Sequence, residues 1–269
     1  MAAPRMTAQR GRYRAVLTGA SGGIGAAIAA RLAPQCALLI LVGRQRAALE
    51  ALAQQLRGCD VQIVCGDLCD PDTLGAIAAT ARAGGGIDLL INNAGVSSFH
   101  AFETQDPAAI RAQVETNLLA PMLLTRELLP LLGTAPAAQV INIGSVFGAL
   151  GFPGFAAYGA AKAGLAGFSQ ALRREYADST VTVRHFSPRA TRTPINSSAV
   201  NAMNRELRTA EDTPEVVAQA FMAFLAGDAA SRTLGGAERF FVLVNKLLPG
   251  IPDKAIRKQL VQIRKYLPR

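Results

Sequence analysis

The chain has 269 residues, half of them hydrophobic and 17% charged, which allows a packed core in one large domain or two small ones and excludes an intrinsically disordered chain. The net charge of +9 resides at the two ends. Residues 1–14 carry Arg5, Arg10, Arg12 and Arg14 with no acid, and residues 253–269 carry Lys254, Arg257, Lys258, Arg264, Lys265 and Arg269 against Asp253, while the stretch between is balanced. Such a distribution describes basic tails on a neutral fold and does not point to nucleic acid, whose readers carry basic residues on the folded surface with a reading element. Cys36, Cys59, Cys65 and Cys69 match no zinc spacing, and His100 and His185 lie far from them, so no metal site is expected and the thiols read as reduced, in a cytoplasmic protein. No apolar run approaches the roughly 20 residues of a membrane span, and no apolar segment follows the basic start as in a secretory signal.

Along the chain, residues 1–12 read as a basic tail, 13–245 as one domain and 246–269 as an extension. The first apolar run, 15–17, leads into Thr18-Gly19-Ala20-Ser21-Gly22-Gly23-Ile24-Gly25. Glycines there permit a tight turn and close approach to a pyrophosphate, and a following helix would offer its N-terminal N–H groups to it. The next run, 38–42, ends in Gly43-Arg44, where an NAD site normally places an acid for the ribose 2′-hydroxyl. A guanidinium pairs instead with a 2′-phosphate, which favours NADP(H) over NAD(H). A helix is expected at 46–56, then strands at 61–64 and 89–91, a helix at 121–132, a strand at 140–143, a helix at 157–176, and strands at 181–185 and 240–244. Residues 194–212 read as a mobile polar segment over the active site. This alternation predicts an α/β, Rossmann-like doubly wound parallel sheet with helices on both faces.

With Thr18-Gly19-x3-Gly23-x-Gly25, Asn92-Asn93-Ala94-Gly95, Ser145 and Tyr158-x3-Lys162 in this order, the chain resembles the short-chain dehydrogenase/reductase family over about residues 13–195. The resemblance implies a nicotinamide cofactor and a catalytic tetrad of Asn117, Ser145, Tyr158 and Lys162. It further implies cofactor contacts from Gly19, Ser21, Gly22, Gly23, Ile24, Gly25 and Arg44, from Asp67 and Leu68 beside the adenine, and from Asn93, Ala94 and Gly95. Tyr158, Lys162, Pro188, Thr191 and Thr193 complete the set. Arg189 stands where the family usually has Gly, which places it and Arg192 near the reaction centre.

Tyr158 and Lys162 are four residues apart and share a helix face. A neighbouring ammonium and an oxidised nicotinamide should lower the tyrosine pKa and fit it for proton exchange with a carbonyl or alcohol oxygen. Ser145 would hydrogen-bond that oxygen, and Asn117 is expected to bend its helix and hold a relay water. Pocket walls are expected from 96–102, 146–155 and the segment after Thr193, including Phe99, Phe102, Phe147, Leu150, Phe152 and Phe155, for a small hydrophobic carbonyl or alcohol. Two long helices, 107–132 and 157–176, are where the family often forms a homodimer. From Asp253, a plausible N-cap, Ile256, Leu260, Ile263 and Leu267 recur at helical spacing among basic residues. Such a helix can meet an anionic membrane surface, receive an acidic carrier protein, or pack on its own subunit. Turnover of a free hydrophobic ketone, reduction of a carrier-bound β-ketoacyl thioester, and a non-catalytic nicotinamide-binding regulatory role are the readings that follow. The full tetrad argues against the last.

Overall fold

The computed structural model describes residues 12–268; the expected tail at 1–12 lies outside them except for Arg12. Seven parallel strands form one sheet: β1 (Tyr13–Thr18), β2 (Cys36–Gly43), β3 (Asp60–Cys65), β4 (Leu89–Asn92), β5 (Ala138–Ile143), β6 (Val181–Ser187) and β7 (Ser231–Thr233), in the order β3-β2-β1-β4-β5-β6-β7. The order reverses between β1 and β4, and the crevice at the carboxyl ends of strands there is where open α/β sheets bind ligands.

Alternate residues of each strand face opposite layers. Ala15, Leu17, Leu39, Leu41 and Ile141 meet α1 (Gly23–Leu32), α2 (Arg46–Gln55) and α8 (Pro214–Ala226), where Ile28, Leu32, Leu49, Phe221 and Phe224 are buried. Val16, Leu38, Ile40, Val42 and Val140 meet α3 (Pro71–Ala83), α5 (Ala120–Leu132) and α6 (Ala156–Glu175) through Ile77, Leu124, Leu128 and Leu172. Each such side chain contributes about 1.5–3 kcal/mol by leaving water. Arg184 of β6 is also buried. Its guanidinium donates to Gln139 Oε1 and to the carbonyls of Phe224, Leu225 and Ala229, so the cation sits where the α8 dipole is negative.

Before α5, α4 (Pro107–Val114) runs into a π-helical turn, Glu115–Leu119, so the expected long helix is three segments. Further expectations need correction. Residues 240–244 belong to α9 (Gly236–Leu247) and not to a strand; the seventh strand is the three residues Ser231–Thr233, too short and polar for an apolar signal. The expected boundary at 245/246 therefore falls inside a helix. Within 194–212, Ser198–Glu206 forms α7, capped by the Ser197 hydroxyl. The last helix, α10 (Gly250–Tyr266), begins before Asp253, which lies in its first turn and is not the N-cap. Its apolar stripe packs on the same chain: Ile263 is fully buried, and Ile256, Tyr266 and Leu267 join Val200 and Met203 of α7 and Phe99 and Phe155. Lys265 and Tyr266 both bond the Glu206 carboxylate, fastening α10 to the end of α7.

Candidate active site

The turn from β1 to α1 is built by glycine. Gly19 has φ +63°, and a side chain there would press on Ala94; a side chain on Gly25 would collide with the Gly19 carbonyl. Gly22 is the N-cap and no side chain caps the helix, so the first-turn donors of Gly23, Ile24 and Gly25 lack a side-chain acceptor there. The turn is locked to β4 from behind. Thr18 Oγ1 accepts from the N–H groups of Asn93 and Ala94, both at 3.0 Å, and the Asn93 amide donates to the carbonyls of Thr18 and Gly19. The Ser21 hydroxyl lies against Gly43, beside exposed Arg44. Asp67 is exposed and accepts from Cys69 N at 2.9 Å, while Leu68 is buried. The glycine turn, Arg44, Asp67 and the 93–95 stretch thus follow the carboxyl ends of the adjacent strands β1, β2, β3 and β4. Such a cradle of backbone donors with an exposed cation fits the phosphates of a dinucleotide.

The four tetrad residues come from three places. Asn117 lies in the π turn, fully buried; its Nδ2 donates to Val96 O at 2.8 Å and its Oδ1 accepts from Val96 N at 2.9 Å. The bend expected of it is this turn. Ser145 follows β5 and caps a 3-10 turn, Val146–Gly148, by accepting from Phe147 N. Tyr158 and Lys162 come from the start of α6. Lys162 Nζ donates to Ile143 O at 2.9 Å and stands 5.9 Å from the Tyr158 ring centre. Gly95 brings the backbone against Asn117 Oδ1 and close to Lys162 Nζ.

The fall in the tyrosine pKa expected from the ammonium together with an oxidised nicotinamide is opposed by the protein's own burial of Tyr158. Burial raises the pKa, and the opposing hydrogen bond from Ser145 does not overcome that. Burial also brings Lys162 down to about 8. Beneath them on β6, His185 lies against Gly144 and is lowered to about 4, by burial first and by the Lys162 charge second.

The segment after β6 differs from expectation at Arg189. Its guanidinium makes a bidentate pair with Asp212 at 2.9 and 2.7 Å and reaches Glu238 of α9 at 3.6 Å. It thus serves as a clamp between three segments and is not turned to the reaction centre. Arg192 is exposed beside Thr193 in a polar cleft of about 490 Å³ shared with Arg205 and Glu211. Pro188 and Thr191 are buried, and the Thr193 side chain presses on Gly23.

Around Tyr158 the walls are apolar. Phe99, Phe147, Phe152 and Phe155 form a ring cluster with centres 5.0–6.4 Å apart, and Phe155 meets the Tyr158 ring edge-on at 6.2 Å. Leu150 is half-buried, whereas Phe102 is 62% exposed and is not a wall. α7, in the expected segment after Thr193, supplies Val200 and Met203, and α10 adds walls the sequence did not single out, Ile263 and Leu267. A cleft of about 630 Å³ lies between α10 and Ala156, Gly159, Ala160 and Ala163, on the α6 face turned away from Tyr158 and Lys162; it is not the reaction site. Sequence reading also missed a buried polar ladder. Asn92 donates to Thr125 and to Asn142, and Asn142 donates to Ser169, each at 2.8–3.1 Å. Lone asparagines in apolar runs are its signal, since buried amides require partners.

The family model described as short chain dehydrogenase matches residues 14–204. Nodulation protein G of Rhizobium sp. (strain N33) is 35% identical over 227 residues, covering 82% of this chain and 92% of that protein. The 3-oxoacyl-[acyl-carrier-protein] reductase of Vibrio cholerae is 33% identical over 197 residues, 73% of this chain and 79% of its own length. A solved short-chain dehydrogenase from Sphingobium yanoikuyae in complex with NADPH superposes with a TM-score of 0.75 at 30% identity, over 90% of this chain and 96% of that one.

Proposed function

Because this chain belongs to the short-chain dehydrogenase/reductase family of oxidoreductases, we propose that it is an NADP(H)-dependent enzyme interconverting a hydrophobic ketone or aldehyde and its alcohol. The observation that carries the reading is the meeting of Asn117, Ser145, Tyr158 and Lys162 inside an apolar chamber beside a glycine-built turn. The nicotinamide supplies or accepts the hydride when bound. Ser145 holds the substrate oxygen and strengthens that bond as negative charge grows on it. Tyr158 gives its proton to that oxygen in reduction and takes one back in oxidation. Lys162, held by the Ile143 carbonyl, provides the positive charge that favours phenolate, and Asn117 with Val96 fixes the backbone beside it. Arg44 at the end of β2 pairs with a 2′-phosphate.

The aromatic walls favour a hydrophobic substrate. A second reading, a β-ketoacyl thioester on an acidic carrier, draws on the likeness to the Vibrio cholerae reductase; exposed Arg192 and the cations of α10 are its contacts, since Arg189 is engaged. We further read the assembly as a homodimer through α4, α5 and α6, where Val114, Leu119, Met122 and Leu123 are exposed beside the small residues Ala160, Ala163 and Gly167.

Calorimetry of NADPH and NADH on wild type and Arg44→Ala tests the cofactor. NADPH is expected to bind about tenfold or more tighter, with the preference lost in the variant, since a charge-assisted pair contributes about 1.5–3 kcal/mol. Equal affinities in wild type would refute it. NADPH oxidation with free ketones against carrier thioesters separates the two substrate readings.

A further inference from the structure

Helix α9 is attached to the protein by its polar side. Glu238 reaches back to Arg189, and Asn245 donates to the Ala149 carbonyl at 3.0 Å. With Val242, these residues recur at i, i+4 and i+7 and so define the inner face. The outer face is apolar: Phe240, Leu243 and Leu247 are 62%, 55% and 70% exposed, and no residue of α9 is buried. The strip continues through Leu248 and Ile251 into the first turn of α10, both more than half exposed. A helix in water normally turns its apolar stripe inward, and contiguous exposed patches of this kind mark contact surfaces.

Charge identifies the occupant. Arg239 and Lys246 lie on the flank of the stripe, and Lys254 follows Ile251 by one turn; all three are exposed. On α10, Lys258 shares the outer face with Ile251 and Lys254. Asp253 is the exposed acid beside them, because Glu238 is engaged with Arg189. A two-fold contact between copies sets the same patch against itself, so these cations would face each other across it. An anionic lipid surface takes both features, the aliphatic and phenyl groups entering the acyl boundary and the cations meeting headgroups. We propose that α9 and the start of α10 form a docking face for an anionic membrane surface. The contact is therefore not made by the apolar stripe of α10, which the protein itself covers. Docking does not depend on the catalytic reading above.

The test is co-sedimentation of the full chain with phosphatidylglycerol vesicles and with phosphatidylcholine vesicles. Binding to the first only is expected, weakening with salt. The variant Phe240→Ser/Leu243→Ser/Leu247→Ser should bind about tenfold or more weaker, and Lys246→Gln with Lys254→Gln should lose roughly fivefold per cation. The triple variant should keep wild-type turnover of a water-soluble ketone, and equal far-ultraviolet circular dichroism establishes the folding of both variants apart from activity. The proposal fails if wild type stays in the supernatant, if both vesicles bind equally, or if the triple variant binds as wild type does. It also fails if vesicles do not bind and the triple variant instead dissolves a dimer in sedimentation, which would assign the face to a second copy.

Discussion

Tyr158 is half-buried, with its hydroxyl against Ser145 and its ring against Phe155. Tyr158→Phe keeps the packing and removes the transferable proton, so turnover should fall by about 10²–10⁴-fold while calorimetry still shows cofactor binding; retained turnover would exclude Tyr158 as the acid–base group. Lys162 gives a stability signature as well. Below pH 8 the native state carries the full cost of a buried ammonium. Between about 8 and the ordinary 10.5 the unfolded chain holds a proton that the native chain has shed, so stability rises with pH across that window. Lys162→Met should therefore abolish activity yet stabilise the fold at pH 7 by on the order of 2 kcal/mol, after loss of the bond to Ile143. Urea melts should show the gain shrinking toward pH 10.5. His185 acts at the other end: its ordinary pKa of 6.5 is lowered to about 4, so its contribution is present above 6.5 and is lost as pH falls toward 4. His185→Gln should flatten that part of the acid unfolding curve.

At the scale of elements, six of the seven strands were legible because buried parallel strands are continuous apolar runs. The seventh, Ser231–Thr233, has no such run, and 240–244 carries one while forming a helix. Five apolar residues in a row do not distinguish strand from helix, and here tertiary attachment through Glu238 and Asn245 decides. Tyr158 and Lys162 stood out by type and spacing, and Asn117 and Ser145 by the family resemblance; the bend expected at Asn117 is the π turn. What could not be read is which long-range partner each charge would find. Arg189 could be located in the chain, but its pairing with Asp212 and Glu238 arises only when three separate segments meet. Arg189→Met should leave Asp212 half-buried without its partner and loosen the segment carrying Thr191 and Thr193. The expected result is a KM for NADPH raised about tenfold, stability lowered by about 1–3 kcal/mol, and an unchanged pH profile. Ile263→Ala, at the closed side of the chamber, should cost about 2–5 kcal/mol in a urea melt.

Over the whole molecule, one sheet brings the glycine turn of β1, the serine after β5 and the segment after β6 to the same edge, and no described helix is long and apolar enough to cross a membrane. In the proposed homodimer, Leu123→Arg would place like charges at the α5 contact, and sedimentation should show a species of 28.2 kDa in place of one twice as heavy. The π turn at Glu115–Leu119 has a different bearing on the molecule. It holds one residue more than the α-helical turn it replaces, so it behaves as an insertion absorbed in place. The helices on either side keep their phase, and Leu124, Leu128 and Leu132 still face the sheet. Deleting one residue from this turn would heal it to α-helix with little disturbance of the core, while withdrawing Asn117 from Val96. The fold would survive an excision that the chemistry would not.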